Sequence, residues 1–137
     1  MEKRRLGQQN NVGVIGLGIE HLKKKPSKEI TKIIKEAITN EVNYIDLIWS
    51  YPYIVKAIGE ATKKNREKVF LAAHLGSCYR GDKYVRSRVV KKCKEIFDEV
   101  LENLGTNYVD VVNLHYVNNS DWNKISNPDG VFDLAKD

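Results

Sequence analysis

Four short apolar runs, each followed by a stretch of helical periodicity, constrain this chain more than any single residue does. The runs are Asn11 to Leu17, Val42 to Ile45, Val69 to Ala73 and Val109 to Leu114, each of strand length and closed by turn-forming or charged residues. Between the first two, Ile30, Ile33, Ile34, Ala37 and Ile38 recur at helical spacing after Pro26-Ser27. That spacing predicts an amphipathic helix with Ser27 as its N-cap and Asn40 in the left-handed conformation that ends it. Ile54, Ala57, Ile58 and Ala61 repeat the stripe, and a longer helix is predicted from Tyr84 to Leu104, with Val89, Cys93, Ile96, Val100 and Leu104 inward. Gly105 stands where a helix C-cap wants a glycine, and Asn127-Pro128-Asp129-Gly130 is a turn before a helix over 131–136.

Strand followed by helix, four times over, implies a parallel sheet with right-handed crossovers, an α/β fold. Lys3 to Gly7 can form a hairpin arm against part of the first run, turning over Gly7 to Asn11. No Pro/Gly/Ser linker divides the chain, so its 137 residues are read as one domain over 1–137. Periodicity alone leaves an open flavodoxin-like sheet and a closed barrel as alternatives.

Charge and composition remove several classes of function. The net charge of +5 comes from Lys23-Lys24-Lys25, Lys63-Lys64 and Lys91-Lys92, which sit on separate segments with acids between them and no aromatic platforms interleaved. Solvated helix faces explain them, and no nucleic-acid partner is expected. Two cysteines, Cys78 in a Gly-rich loop and Cys93 in a helical pattern, supply neither a disulfide framework nor a zinc site. Both are read as reduced thiols, Cys93 as packing, and no metal site is expected. No run approaches the roughly 18 apolar residues of a membrane span, and Met1 to Arg5 is followed by no signal-peptide core. The expected location is the cytoplasm.

Several segments in register resemble the aldo-keto reductases. They are Arg4-Arg5-Leu6-Gly7 with Val14-Ile15-Gly16-Leu17-Gly18, Asn43-Tyr44-Ile45-Asp46, Ile58-Gly59, Leu104-Gly105-Thr106-Asn107-Tyr108-Val109-Asp110 and Leu114-His115. The stretch from His115 through Asp121-Trp122 to Gly130 is similar to the branch whose members carry a ferredoxin-like C-terminal segment. The resemblance implies a (βα)4 half of a TIM-type (β/α)8 barrel, with helices on the outer face. It also implies an NADP-dependent reductase ancestry acting on small carbonyl compounds. Asp46 matches the family's aspartate, Tyr51 its proton-donating tyrosine and His115 its histidine, all at or just past strand C-termini.

His74 stands where that family has a lysine. An imidazole has a reference pKa near 6.5 against about 10.4 for an ammonium, and it is shorter, so the charge that supports the tyrosine as an acid is largely lost. Leu47-Ile48, Pro52 and Ile54-Val55 replace the polar residues the family places around its aspartate and tyrosine. In the family the cofactor phosphates are held by loops of the second half-barrel, which the 137 residues do not contain, so no cofactor-binding residue is assigned. Gly16-Leu17-Gly18 lacks the third glycine and acidic partner of a dinucleotide fingerprint.

The expectation is therefore a half-barrel that does not catalyse alone, whether a natural short protein or the product of a truncated gene. The alternatives are a residual NADP-dependent carbonyl reductase active as an oligomer, a non-catalytic assembly or binding protein, and a relic that still folds. Unpaired edges on the first and fourth strands predict self-association, with a twofold dimer that closes the barrel favoured. Trp49 is expected beside the site, and His21 at the surface.

Overall fold

The fold was taken from a computed structural model, which describes residues 1–81 and 83–136, without the side chains of Gln9, Asn10 and Cys78. In chain order the strands are β1 (Lys3–Leu6), β2 (Gln9–Gly13), β3 (Leu17–Gly18), β4 (Tyr44–Asp46), β5 (Phe70–Leu75), β6 (Ser77–Arg80), β7 (Lys83–Arg86) and β8 (Val111–Leu114). The helices are α1 (Ser27–Thr39), α2 (Pro52–Thr62), α3 (Val90–Leu104), α4 (Asn119–Ile125) and α5 (Val131–Leu134). Strands β3, β4, β5 and β8 form one parallel sheet in that order, the order expected of four consecutive βα units of a barrel.

The register sorts the sheet residues onto two faces. Leu17 pairs with Ile45, Ile45 with Leu71, Ala73 with Val112 and Leu75 with Leu114, and these residues point toward the helices. Ile45 and Leu71 are fully buried there, among Ile30 and Ile34 of α1, Ile54 and Ile58 of α2, and Val100 and Leu104 of α3. Each helix thus places its predicted apolar stripe on the sheet. Leu75, Cys93, Ile125 and Val131 make a smaller second cluster under α5. The opposite face carries Asp46, Ala72, His74, Val111 and Asn113 in adjacent register.

Two glycines have conformational jobs. Gly59 lets α2 approach the end of α3 so closely that an added Cβ would stand 2.3 Å from the Leu104 carbonyl oxygen. Gly105 takes φ +67° and ends α3 as the sequence predicts.

Several sequence expectations are corrected. The run from Asn11 to Leu17 is not one strand. Its start belongs to β2, the second arm of the expected antiparallel hairpin, and only Leu17 enters the parallel sheet. Val14 and Ile15 between them are exposed, because the chain must leave the hairpin before it can join the sheet. Ser27 is the first helical residue and makes no capping bond; Pro26, extended at φ −60° and ψ 144°, takes the N-cap position. Asn40 is not left-handed; it returns its side-chain amide to the Glu36 carbonyl, and Glu41 takes φ 65° instead.

The largest correction concerns 77–89. The predicted helix from Tyr84 does not form; β6 and β7 pair as an antiparallel hairpin around Gly81, at φ +59°, and α3 starts only at Val90. Val89, expected inward, is 65% exposed. Helical spacing continues backward from Cys93 by coincidence, while cross-strand partners such as Tyr79 and Tyr84 are satisfied only by the hairpin. Cys78 has its backbone in β6 rather than in a loop, and its thiol lies outside the described residues. Helix α4 was not predicted; the Asn118 side chain caps it by accepting from the Asp121 N–H at 3.0 Å. Among the described residues no helix is long and apolar enough to cross a membrane.

Candidate functional site

Asp46 ends β4, His74 is the fifth residue of β5 and His115 follows β8, so three neighbouring parallel strands deliver them to one rim. His74 Nε2 lies 3.0 Å from Asp46 Oδ1, and His74 Nδ1 lies 3.2 Å from His115 Nδ1. A carboxylate only accepts, so His74 Nε2 carries the proton; with His74 neutral, its Nδ1 is a lone pair to which His115 Nδ1–H donates. Asn113 Nδ2, 3.3 Å from His74 Nε2, cannot donate to a nitrogen that is already protonated, so the amide suits this site with its oxygen turned inward.

That assignment leaves His115 Nε2 as the unprotonated nitrogen. His115 is 8% exposed, and its pKa is held below the ordinary imidazole value. Burial is the largest cause, followed by repulsion from His74, Arg88 and Arg86 and opposed by attraction to Asp46. Its backbone is held as well. Arg88 Nη2 donates to the His115 carbonyl at 2.6 Å and to the Tyr116 carbonyl at 3.1 Å, and lies 3.4 Å from Asp121 Oδ2.

Tyr51 is placed elsewhere. It is the N-cap of α2 and 3% exposed, and its hydroxyl is buried without a hydrogen-bond partner of good geometry. No hydrogen bond joins it to Asp46, His74 or His115 among the described residues. Its ring stacks on Tyr79 of β6 at 4.1 Å and 15°, with Lys23 Nζ 5.2 Å from the Tyr51 ring and 5.5 Å from the Tyr79 ring. The Tyr79 pKa is raised, first by its contact with the Tyr51 hydroxyl and then by burial. The structure therefore brings together three of the four residues singled out in the sequence and turns the fourth toward the β6–β7 hairpin.

The hairpin also builds a cleft. His115 opens onto a cavity of about 560 Å³ lined by Trp49, Tyr79, Tyr84, Arg86 and Tyr116. Tyr84 lies 5.9 Å from the His115 ring, Trp49 packs edge-on to Tyr79 at 6.0 Å, and the Arg86 guanidinium stands 5.7 Å from the Tyr116 ring centre. Trp49 lies where the sequence places it. Tyr79, Tyr84, Arg86 and Arg88 were missed, because the segment was read as helix and surface. The available signal was three β-prone residues, Tyr79, Tyr84 and Val85, flanking Gly81-Asp82. His21 is at the surface as expected, 3.5 Å from Glu20. Cys93 is buried packing, its thiol pKa raised chiefly by that burial. Among the described residues no cluster of His, Cys, Asp and Glu could hold a metal ion.

A sequence profile described as the Aldo/keto reductase family matches residues 12–125. No curated protein matches the sequence. Among solved structures, the holo form of aldo-keto reductase AKR11C1 from Bacillus halodurans superposes with a TM-score of 0.72 at 25% identity, over 83% of this chain and 40% of its own. The glycerol dehydrogenase AKR11B4 from Gluconobacter oxydans gives 0.67 at 18%, over 86% and 40%. An aldo/keto reductase from Klebsiella pneumoniae in complex with NADP and acetate gives 0.66 at 18%, over 85% and 40%. This chain thus spans about two fifths of the length of each of these three structures.

Proposed function

This chain belongs to the aldo/keto reductase family, and from its altered rim we propose that the 137-residue polypeptide binds a small molecule without reducing a carbonyl. The observation behind this reading is the closed chain Asp46–His74–His115. Carbonyl reduction needs a group that donates a proton to the oxygen as hydride arrives. His115 spends its N–H on His74, His74 spends its own on Asp46, and the Tyr51 hydroxyl is buried against Tyr79. Neither histidine has an N–H left for the cleft, and the donors that line it belong to its walls: Trp49, Tyr79, Tyr84, Arg86 and Tyr116.

The Klebsiella relative is a complex with NADP, and the described residues do not fit that group. Gly16 is packed against Tyr44, where an added Cβ would meet the ring at 3.0 Å. After Gly18 the chain runs through a turn at Glu20–Leu22 and four further residues before α1 starts at Ser27, so no helix N-terminus directly follows β3. No step is therefore derived through a nicotinamide.

A direct test is titration of the chain with NADPH and measurement of NADPH oxidation with a generic aldehyde, in the native chain and in His74→Lys. We expect no saturable micromolar binding and no turnover in either. Turnover in His74→Lys would show that the lysine alone was missing, and turnover in the native chain would restore the reductase reading in full.

The same polypeptide is proposed to self-associate. Strands β3 and β8 each have a neighbour on one side only, and the exposed Val14 and Ile15 adjoin the β3 edge. A twofold dimer pairing β8 with the partner's β3 would satisfy both edges. Light scattering should report a dimer or larger species at micromolar concentration; a compact monomer would end the proposal.

A further inference from the structure

The cleft presents an acceptor where a carbonyl-binding site needs a donor, and that inversion identifies a ligand class. We propose that the cleft beside His115 binds a planar phenol, whose hydroxyl donates its hydrogen bond to His115 Nε2. The inference rests on the reading of this cleft as a small-molecule site and gives that site its chemistry.

Three observations converge on it. With His74 neutral, the Asp46–His74–His115 chain, with contacts of 3.0 and 3.2 Å, gives the tautomer that leaves Nε2 bare. No hydrogen bond reaches that nitrogen among the described residues, and His115 is one of the cleft-lining side chains. The remaining lining offers aromatic faces and edges from Trp49, Tyr79, Tyr84 and Tyr116 around about 560 Å³, a volume suited to one or two fused rings. Arg86 stands at the same wall with its guanidinium already beside an aromatic face, and an electron-rich aryl ring can take up the same stacking.

The environment of His115 supports the acceptor role. Its lowered pKa keeps the ring neutral at neutral pH, so that Nε2 carries a lone pair rather than a second proton. Asp46 and His74 act through His115 and touch no ligand in this arrangement; they are positioning residues. A ketone or aldehyde would set its oxygen lone pairs against that of Nε2, so this nitrogen favours a hydroxyl over a carbonyl oxygen.

Calorimetric titration of the full 137-residue chain with beta-naphthol and with its methyl ether tests this, since the two ligands share a ring system and differ in the hydroxyl hydrogen. Naphthol should bind saturably, and the ether at least about tenfold more weakly, because it leaves the polar acceptor buried and unpaired. In His115→Phe the two ligands should bind with nearly equal affinity. In His74→Leu, which frees the His115 tautomer, the ratio of the two affinities should shrink; circular dichroism establishes that each variant is folded. Equal affinities in the native chain would overturn the proposal, as would discrimination that survives both substitutions, or no saturable binding by either ligand. These outcomes are independent of the NADPH assay: the cleft can fail to bind phenols while the chain remains unable to reduce carbonyls, and the reverse.

Discussion

The two faces of the parallel sheet differ more from each other than any two segments of the chain. On the helix side, Ile45, Leu71 and Ala73 lie under α1, α2 and α3 in a continuous apolar layer. On the other side, β4, β5 and β8 put Asp46, His74 and Asn113 in a row, with Phe70 and Val111 only half buried. The alternation of a strand assigns neighbouring residues to opposite faces, so adjacent positions can serve opposite ends. One face stabilises the fold through area removed from water, at about 25 cal/mol per Å². The other spends stability on polar groups whose hydrogen bonds must be arranged one by one, as in the Asp46–His74–His115 chain.

Residues 70 and 71 offer the sharpest way to break this comparison. Leu71 is fully buried and Phe70 only partly. Leu71→Ala should therefore cost about 2–5 kcal/mol of unfolding free energy, and Phe70→Ala clearly less, although it removes more atoms. Urea denaturation of the two variants decides it; a larger cost at Phe70 would mean that the open face is covered in solution. Gly59→Ala comes next, because the new Cβ would meet the backbone carbonyl of Leu104 at 2.3 Å and force α2 and α3 apart. A loss of about 1–3 kcal/mol is expected, and an unchanged midpoint would show that the two helices are not held at this distance.

The open face should respond to pH where the helix-covered face does not. Because the His115 pKa is lowered in the folded chain, the folded state prefers the neutral ring. Its contribution is complete above the ordinary imidazole value of about 6.5 and is lost as pH falls through that value to the depressed one. Burial is the main cause; His74, Arg88 and Arg86 also oppose protonation, and Asp46 favours it. Thermal melts should show a midpoint that declines from pH 7 toward pH 5, and His115→Phe should flatten the decline. The smallest effect is expected at Tyr51→Phe. Removing a buried hydroxyl without a partner should leave stability unchanged or raise it by up to about 1 kcal/mol. A loss of 2 kcal/mol or more would mean that the hydroxyl is well bonded, and that Tyr51 is anchored rather than stranded.

Much of the fold was legible because its signals are local. The stripes Ile30–Ile34, Ile54–Ile58 and Ile96–Val100 each repeat within a few residues, and each finds the sheet where the pattern says. Boundaries were less legible where two patterns overlap. Residues 84–86 fall within the helical spacing carried back from Cys93, and only pairing with 77–80 makes them a strand. Of the site, Asp46, His74 and His115 could be named by resemblance to the family, but the direction of Tyr51 could not, since it depends on stacking with Tyr79, a residue of a hairpin that the periodicity concealed.

The amino-acid sequence by itself determined the parallel βα architecture, the family, the apolar stripes of α1 and α2 and the imidazole at position 74. All of these are encoded in short-range spacing or in residue identity. Only the tertiary structure decided that His74 bonds to His115 and Asp46, that Tyr51 faces away from them, and that the β6–β7 hairpin walls an aromatic cleft. The physical reason is separation along the chain: His74 and His115 are 41 residues apart, and which of their nitrogens is left free follows from hydrogen bonds that exist only once three strands lie side by side.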